Sequence, residues 1–270
     1  MRRAAAAAKI NLALVVGPQR DDGKHELVTV YQRVALSDRI AVEHSAELRV
    51  TGFAGDTLVR RALELVADGD GTSFEARIEK RIPVAAGLGG GSSDAATALR
   101  LANDLRAEPH SGEQIEAFAR DLGADVPYFL ADGPQLGTGD GTELSPLELP
   151  QDYWIVLVVP RNVEKTSTGA VYSSFDTRNG ADGYDERSAA LLHGLEQVRR
   201  PRDLAALPPN DLASSPLTAK LQAQGAFRAD VTGAGPAVYG LFLHGHRARA
   251  AQRTMSAEGR SWLTAPAWYR

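Results

Sequence analysis

Cysteine is absent from all 270 residues. That excludes a disulfide framework, a thiolate nucleophile and a thiolate metal centre, and it suits a reducing compartment such as the cytoplasm. No stretch approaches the roughly 20 apolar residues needed to span a bilayer, so no membrane partner is expected. Basic charge is not in excess either: 30 Lys and Arg stand against 34 Asp and Glu, a formal net charge of -4. A general nucleic-acid binder usually carries a basic surplus. A local basic pocket for an anionic small molecule stays open. There is no internal repeat, and no low-complexity tract beyond the alanines of "MRRAAAAAKINLALVV". Two arginines ahead of small apolar residues resemble a targeting signal, but Lys9 and Asn11 interrupt the run, and it reads as a first strand.

What is present suffices for a real core: apolar residues make up 43% of the chain, enough for one large or two small domains that fold alone. β-Branched runs predict strands at Ile10–Val16, Leu27–Leu36, Ile40–Val42 and Leu48–Val50, an opening meander with turns such as "GPQRDDG". A helix is expected at Leu58–Ala67, a strand at Ser73–Arg81, and a helix starting near Ser92, where Ala95, Ala98, Leu99, Ala102 and Leu105 form one apolar face. Gly112–Leu122 reads as a helix that stops at Gly123. After a turn-rich crossing, "YWIVLVVP" reads as a buried strand, Ala170–Phe175 as a short helix, and Glu186–Leu207 as one or two helices. Then come a helix at Leu217–Gln224, strands at Ala229–Thr232 and Ala237–Leu243, a helix at Arg247–Glu258 and a strand at Ser261–Thr264. Strands and helices mix without strict βαβ alternation, which indicates an α+β fold rather than a doubly wound sheet. A soft lobe boundary is placed near Leu149, giving lobes 1–149 and 150–270.

The stretch "PVAAGLGGGSSDAATALR" runs from a strand end straight into a helix. Such a loop exposes unpaired backbone N–H groups, and the helix dipole adds partial positive charge there, so it is an anion site. Gly87, Gly89, Gly90 and Gly91 let the backbone wrap phosphate oxygens. Ser92 and Ser93 are placed to cap the helix or to reach the phosphates or a metal ion, and Asp94 suits the dipole. A Walker A loop needs a Gly-Lys-Ser/Thr end that is missing here, and the dinucleotide fingerprint needs Gly or Ala where Ser92 stands. No protein-kinase catalytic loop or Asp-Phe-Gly triplet occurs. The bland alternative is that the glycines only allow tight helix-on-sheet packing.

These residues resemble the phosphate loop of the GHMP kinases, small-molecule kinases related to galactokinase, homoserine kinase and mevalonate kinase. "AKINLAL", "DDGKHELVTVYQ", "LGADVPYFL", "GTGDG" and "VTGAGPAVYGLF" follow in the family's order and cover most of the chain. The resemblance implies a two-lobed α+β fold, with a ribosomal protein S5 domain 2-like N-terminal lobe and a ferredoxin-like C-terminal lobe. It implies an ATP- and Mg²⁺-dependent kinase whose small-molecule substrate is a cytidine diphosphate-linked methylerythritol, working in the cytoplasm as a monomer or weak homodimer. By the same resemblance Lys9 and Asp125 are catalytic. Asp125 accepts the hydroxyl proton, and Lys9 neutralises transferring charge. Taken singly, Lys9 reads better as a snorkelling lysine and Asp125 as a helix-capping carboxylate; the two matches in the family's order shift both to catalysis.

ATP would be held by Pro83, Val84, Ala85, Ala86, Gly87, Leu88, Gly89, Gly90, Gly91, Ser92 and Ser93, with Lys80 and Thr57; the Mg²⁺ ligands are unassigned. Substrate contacts fall on Asn11, His25, Thr168, Tyr172, Gly233 and Gly235. His25 suits the amide-like edge of cytosine or is an exposed loop histidine. Tyr172 stacks on the base or is a core tyrosine. Gly233 and Gly235 offer amides to the phosphates or form a tight turn. Lys24 stands where the family commonly has tyrosine, Thr57 where it has asparagine, and Asp140 where a basic residue is common. Other readings are a GHMP kinase for another small alcohol, of mevalonate or homoserine type, and a catalytically idle nucleotide-binding paralogue.

Overall fold

The computed structural model describes residues 1–69, 71–161 and 167–267. Strands β1 (Arg2–Gln19), β2 (His25–His44) and β3 (Arg49–Thr51) open the chain, followed by α1 (Leu58–Ala67), β4 (Phe74–Glu79), α2 (Gly90–Asn103) and α3 (Gly112–Leu122). A 3-10 turn at Pro127–Phe129 precedes β5 (Gln135–Thr138), β6 (Glu143–Pro146) and β7 (Trp154–Pro160). Helices α4 (Thr168–Thr177) and α5 (Tyr184–Gln197), a second 3-10 turn at Pro201–Ala206, and α6 (Pro216–Ala223) come next. The chain then runs through β8 (Arg228–Val231), β9 (Val238–Phe242), α7 (Gly245–Met255) and β10 (Gly259–Thr264). The class is α+β. Among the described residues no helix is long and apolar enough to cross a membrane. Two compact units draw on interleaved stretches: Met1–Ala8, Leu36–Val84 and Gly89–Asp132 form one, and Lys9–Ala35, Ala85–Leu88 and Gly133–Arg270 the other.

In the first unit, the end of β2 pairs antiparallel with β4, Ile40 opposite Ile78 and Val42 opposite Ala76. β3 pairs with β4 in parallel, Val50 opposite Ala76, so the expected meander breaks at this point. The reason lies in the connection: parallel neighbours need a crossover, and α1 supplies it between β3 and β4. Val59, Ala62, Leu63 and Val66 recur at helical spacing along α1 and are all buried. Ala95, Ala98, Leu99 and Ala102 of α2 are completely buried as well, and the small side chains let α1 and α3 pack closely on that face. Helix α3 starts with a reciprocal cap, Ser111 accepting from the Gln114 amide while the Gln114 side chain accepts from the Ser111 amide, and it stops at Gly123 as expected.

The second unit contains the antiparallel sheet β10-β7-β9-β8. Val156 and Val158 of β7, Val238 and Phe242 of β9, Leu221 of α6 and Met255 of α7 share one buried cluster. The early part of β2 also lies in this unit, where Thr29–Tyr31 pair with β5, and β5 continues to β6. Arg228 is buried and donates to the carbonyls of Leu204, Leu207 and Pro208, to the Tyr239 hydroxyl and to Asp230. It therefore anchors the second 3-10 turn on the sheet. Burial pushes the Tyr239 phenol up to about 12. The region expected as one or two helices at Glu186–Leu207 divides at Pro201, whose missing N–H suits the start of a new turn and not a helix interior.

Candidate functional site

The glycine loop has a backbone that few sequences could adopt. Ala85 is exposed and sits at φ 56, a left-handed conformation disfavoured for residues with a side chain. Gly87 is at φ 82, and a Cβ there would lie 2.3 Å from the Thr232 carbonyl oxygen, so glycine alone fits. In the same unit Ala86 O accepts from Ala237 N at 3.0 Å, and Leu88 O accepts from Lys9 N at 2.9 Å. Pro83 is half-buried and Val84 exposed.

The chain then enters α2, whose N-cap is Gly89 in the left-handed conformation. The helix starts at Gly90, earlier than the start near Ser92 expected from the pattern. Ser92 and Ser93 consequently lie inside the first turn and make no capping bond; the Ser93 amide bonds to Gly89 O at 2.9 Å instead. The amides of Gly90, Gly91 and Ser92 have no acceptor within the helix, and they form the positive mouth of α2. Ser93 is buried, while Gly91 is exposed.

One feature of this mouth escaped the sequence reading. Lys80, at the end of β4, donates to Asp38 of β2 and, at 2.8 Å, to Asp94 of α2. The ammonium lies 3.3 Å from where a Gly90 Cβ would stand. Asp38 is wholly buried and also accepts from the Arg81 amide at 2.5 Å and the Ile82 amide at 2.8 Å. Asp94 is 2% exposed, and its second oxygen, Oδ1, has no partner among the described residues. Burial pushes the Asp94 carboxyl up to about 7; the Lys80 charge pulls it down and the Asp38 charge adds to the rise. Burial alone would lower the Lys80 ammonium, but the attraction of Asp94 and Asp38 outweighs it and holds that group above its usual value. The two directions agree physically: one cation faces two carboxyl groups, so the cation is favoured and the less well served acid is pushed towards its neutral form. Asp94 thus makes a side-chain tether to Lys80 rather than the dipole contact expected of it.

Asp125 lies in the turn between α3 and the 3-10 turn and is half-buried, with Val126 N bonded to Gly123 O. Thr57 is the exposed N-cap of α1 and makes no side-chain cap bond. Asp56 performs that task, its two oxygens accepting from the Val59 and Arg60 amides at 3.1 Å each.

The second unit gathers Lys9, Asn11, Gly87 and Gly233. Lys9 is 4% exposed, which excludes the snorkelling alternative, and its Nζ donates to Asn11 Oδ1 at 2.7 Å. Asn11 Nδ2 donates to Thr29 Oγ1 at 2.8 Å, and the Asn11 amide donates to Thr232 Oγ1 at 3.0 Å. The Asn11 side chain therefore links the Lys9 ammonium to Thr29 and Thr232. Gly233 is at φ 57, and a Cβ there would lie 3.5 Å from Lys9 Nζ, Asn11 Oδ1 and Gly87 O alike. Gly235 is at φ 74, its amide bonded to Thr232 O in a tight turn.

His25 is 7% exposed, which rules out the exposed-loop alternative. Its ring lies 4.8 Å from the Tyr172 ring at a 31° tilt and meets the Phe175 ring edge-on at 6.0 Å. Nε2 is 2.8 Å from Asp176 Oδ1. Tyr172 is half-buried beside a cluster formed by Leu14, Val16, Leu27, Phe175 and Leu212. Thr168 is exposed at the first position of α4, where Ser167 is the cap. Nearby in sequence, Lys24 and Asp140, two positions where the chain departs from the family pattern, bond to each other at 2.5 Å. Burial raises the Asp140 carboxyl, but bonds from Lys24 and Thr142 outweigh it and hold the group below its usual range.

Among the described residues no group of three or more His, Asp or Glu is placed to hold a metal ion. Mg²⁺ requires fewer protein ligands when phosphates and water supply the rest.

Residues 57–133, which include the loop, α2 and Asp125, match the family model described as GHMP kinases N terminal domain. The 4-diphosphocytidyl-2-C-methyl-D-erythritol kinase of Desulfitobacterium hafniense (strain Y51) is 36% identical over 252 residues, 87% of this chain and 85% of that protein. The chain belongs to the GHMP kinase family. A crystal structure of 4-(cytidine 5'-diphospho)-2C-methyl-D-erythritol kinase superposes with a TM-score of 0.79 at 31% identity, covering 98% of this chain and all of the other. A mevalonate kinase superposes with a TM-score of 0.74 at 12% identity over the full length of both chains, a likeness of fold alone.

Proposed function

We propose that the chain phosphorylates the 2-hydroxyl of 4-diphosphocytidyl-2-C-methyl-D-erythritol with ATP, in the non-mevalonate route to isoprenoid precursors. The activity carried by the name of its full-length relatives supports this reading. The observation that carries it is the glycine loop. The amides of Gly90, Gly91 and Ser92 find no acceptor within α2 and share one unit with the Lys80 ammonium, and the loop ahead of them is left-handed at Ala85 and crowded at Gly87. Strain of this kind persists only where the surrounding structure over-determines the conformation, and it clusters at active sites and ligand clamps.

In the proposed reaction the loop from Pro83 to Ser93 grips the ATP phosphates through main-chain amides, with Lys80 as a point charge. Asp125 accepts the hydroxyl proton as the oxygen attacks the γ-phosphorus. The bond to the β-phosphate oxygen breaks, ADP leaves, and the phosphate ester remains on the alcohol. Lys9, held by Asn11, neutralises charge on the transferring oxygens. Mg²⁺ bound through the ATP phosphates would supply further charge neutralisation. His25 and Tyr172 take the cytosine, with Thr168 beside them, and Gly233 and Gly235 offer amides to the substrate phosphates. The enzyme is a cytoplasmic monomer or weak homodimer acting on small molecules and not on nucleic acid.

A coupled assay of ADP release with this alcohol, mevalonate and homoserine tests the reading. Turnover is expected with the cytidine-bearing alcohol alone. Turnover only with an alcohol that lacks cytidine would overturn the substrate, and ATP binding without any turnover would favour an idle paralogue.

A further inference from the structure

Asp176 has no part in the reaction proposed above, yet it makes the one side-chain hydrogen bond found on the buried His25 ring among the described residues. The ring is otherwise fixed by packing, with Tyr172 tilted over it and Phe175 meeting it edge-on. An ionised carboxylate only accepts hydrogen bonds. A neutral imidazole carries one N–H, so Asp176 at 2.8 Å from Nε2 draws the proton to that nitrogen and leaves a lone pair on Nδ1. Nδ1 has no hydrogen bond to any described residue.

We propose that Asp176 is a positioning residue that fixes the His25 tautomer, making Nδ1 an acceptor that reads the exocyclic amino group of cytosine and rejects the carbonyl that uracil presents in its place. The inference rests on the cytidine reading of this site and adds to it the residue that sets base specificity. The physical asymmetry is sharp, because an acceptor facing an acceptor leaves both lone pairs without a partner. The opposite tautomer, with the proton on Nδ1, would reverse the preference. The Asp176 side chain is 50% exposed, so its replacement does not open the core.

The test uses the whole protein, with Asp176→Asn and Asp176→Ala. Histidine ¹⁵N spectra at pH 8, with His25 assigned by the signal lost in His25→Gln, report the tautomer directly. Calorimetry with cytidine 5'-diphosphate and uridine 5'-diphosphate gives the ratio of their Kd values, and neither readout requires turnover. The wild type is expected to hold its proton on Nε2 and to prefer the cytidine nucleotide. Both variants are expected to show mixed tautomers, because an amide donates as well as accepts and alanine does neither. Their preference should fall by roughly tenfold, with KM for the cytidine-bearing alcohol rising and kcat little changed. A wild-type proton on Nδ1, or a Kd ratio unchanged in both variants, would overturn the inference. No turnover of the alcohol by the wild type, together with a cytidine preference that is present in the wild type and lost in both variants, would overturn the proposed reaction and leave the role of Asp176 standing.

Discussion

Replacing Asp94 by asparagine should change how the stability of this protein depends on pH. In an unfolded chain an aspartate titrates near 3.9, whereas burial beside Lys80 and Asp38 pushes the Asp94 carboxyl up to about 7. The native state thus binds a proton that the unfolded state has released. Its contribution is fully present below about pH 4 and is lost as pH climbs through about 7. Three pH units at about 1.4 kcal/mol each give about 4 kcal/mol across the whole window, of which roughly 3 kcal/mol falls between pH 5 and 8. Asparagine keeps an oxygen for the Lys80 ammonium and cannot ionise, and Lys80 retains Asp38 as its counter-charge. Urea unfolding of both proteins at pH 5, 6, 7 and 8 is the assay. The variant should lie close to the wild type at pH 5 and gain on it steadily, ending up to roughly 3 kcal/mol ahead at pH 8. Parallel curves would show that Asp94 is ionised throughout and that the one-cation, two-acid account of this cluster is wrong.

Gly87→Ala brings a Cβ to 2.3 Å from the Thr232 carbonyl at φ 82; a destabilisation of at least about 1–2 kcal/mol in urea should accompany a higher KM for ATP, and a variant equal to wild type in both would remove the crowding argument. Asp125→Asn should reduce kcat by about 10²–10⁴-fold, the usual share of a general base, while calorimetry finds ATP binding nearly intact; an unchanged rate would take Asp125 out of the mechanism. Lys24→Tyr breaks an exposed pair with Asp140 that contributes no more than about 1 kcal/mol, and it should lower KM for the cytidine-bearing alcohol with little effect on kcat. No fall in KM would mean that another side chain already closes that face of the base. Asp140 should then titrate closer to its usual range, which carboxyl ¹³C shifts would report.

Much of the architecture was legible because it is written in local periodicity. α1 and α3 fall at the expected bounds, since their apolar spacing and the stop at Gly123 are properties of consecutive residues. The start of α2 was misplaced because serines are the usual caps and Gly89 took the role through a left-handed backbone that only the turn geometry demands. β3 was read as the next strand of a meander because a strand's partner is not encoded in its own few residues. The glycine loop stands out by its composition, and Lys9 and Asp125 are proposed as catalytic from resemblance. Asp38, Asp94, Asp176 and Arg228 were missed as partners, because a carboxylate or guanidinium buried against a distant residue looks in sequence like any surface charge.

The amino-acid sequence by itself determined the α+β class, a glycine-rich loop ahead of an alanine-faced helix, and the exclusion of thiol chemistry, since composition and short-range spacing suffice for each. Only the tertiary structure decided that the side-chain oxygen of Asn11 accepts from Lys9, that Lys80 is shared by two carboxyl groups, and that His25 is buried with one nitrogen already bound. Burial and hydrogen-bond partners set charge and proton position, and these arise from residues far apart in the chain: Asn11 and Thr232, Asp38 and Lys80, His25 and Asp176.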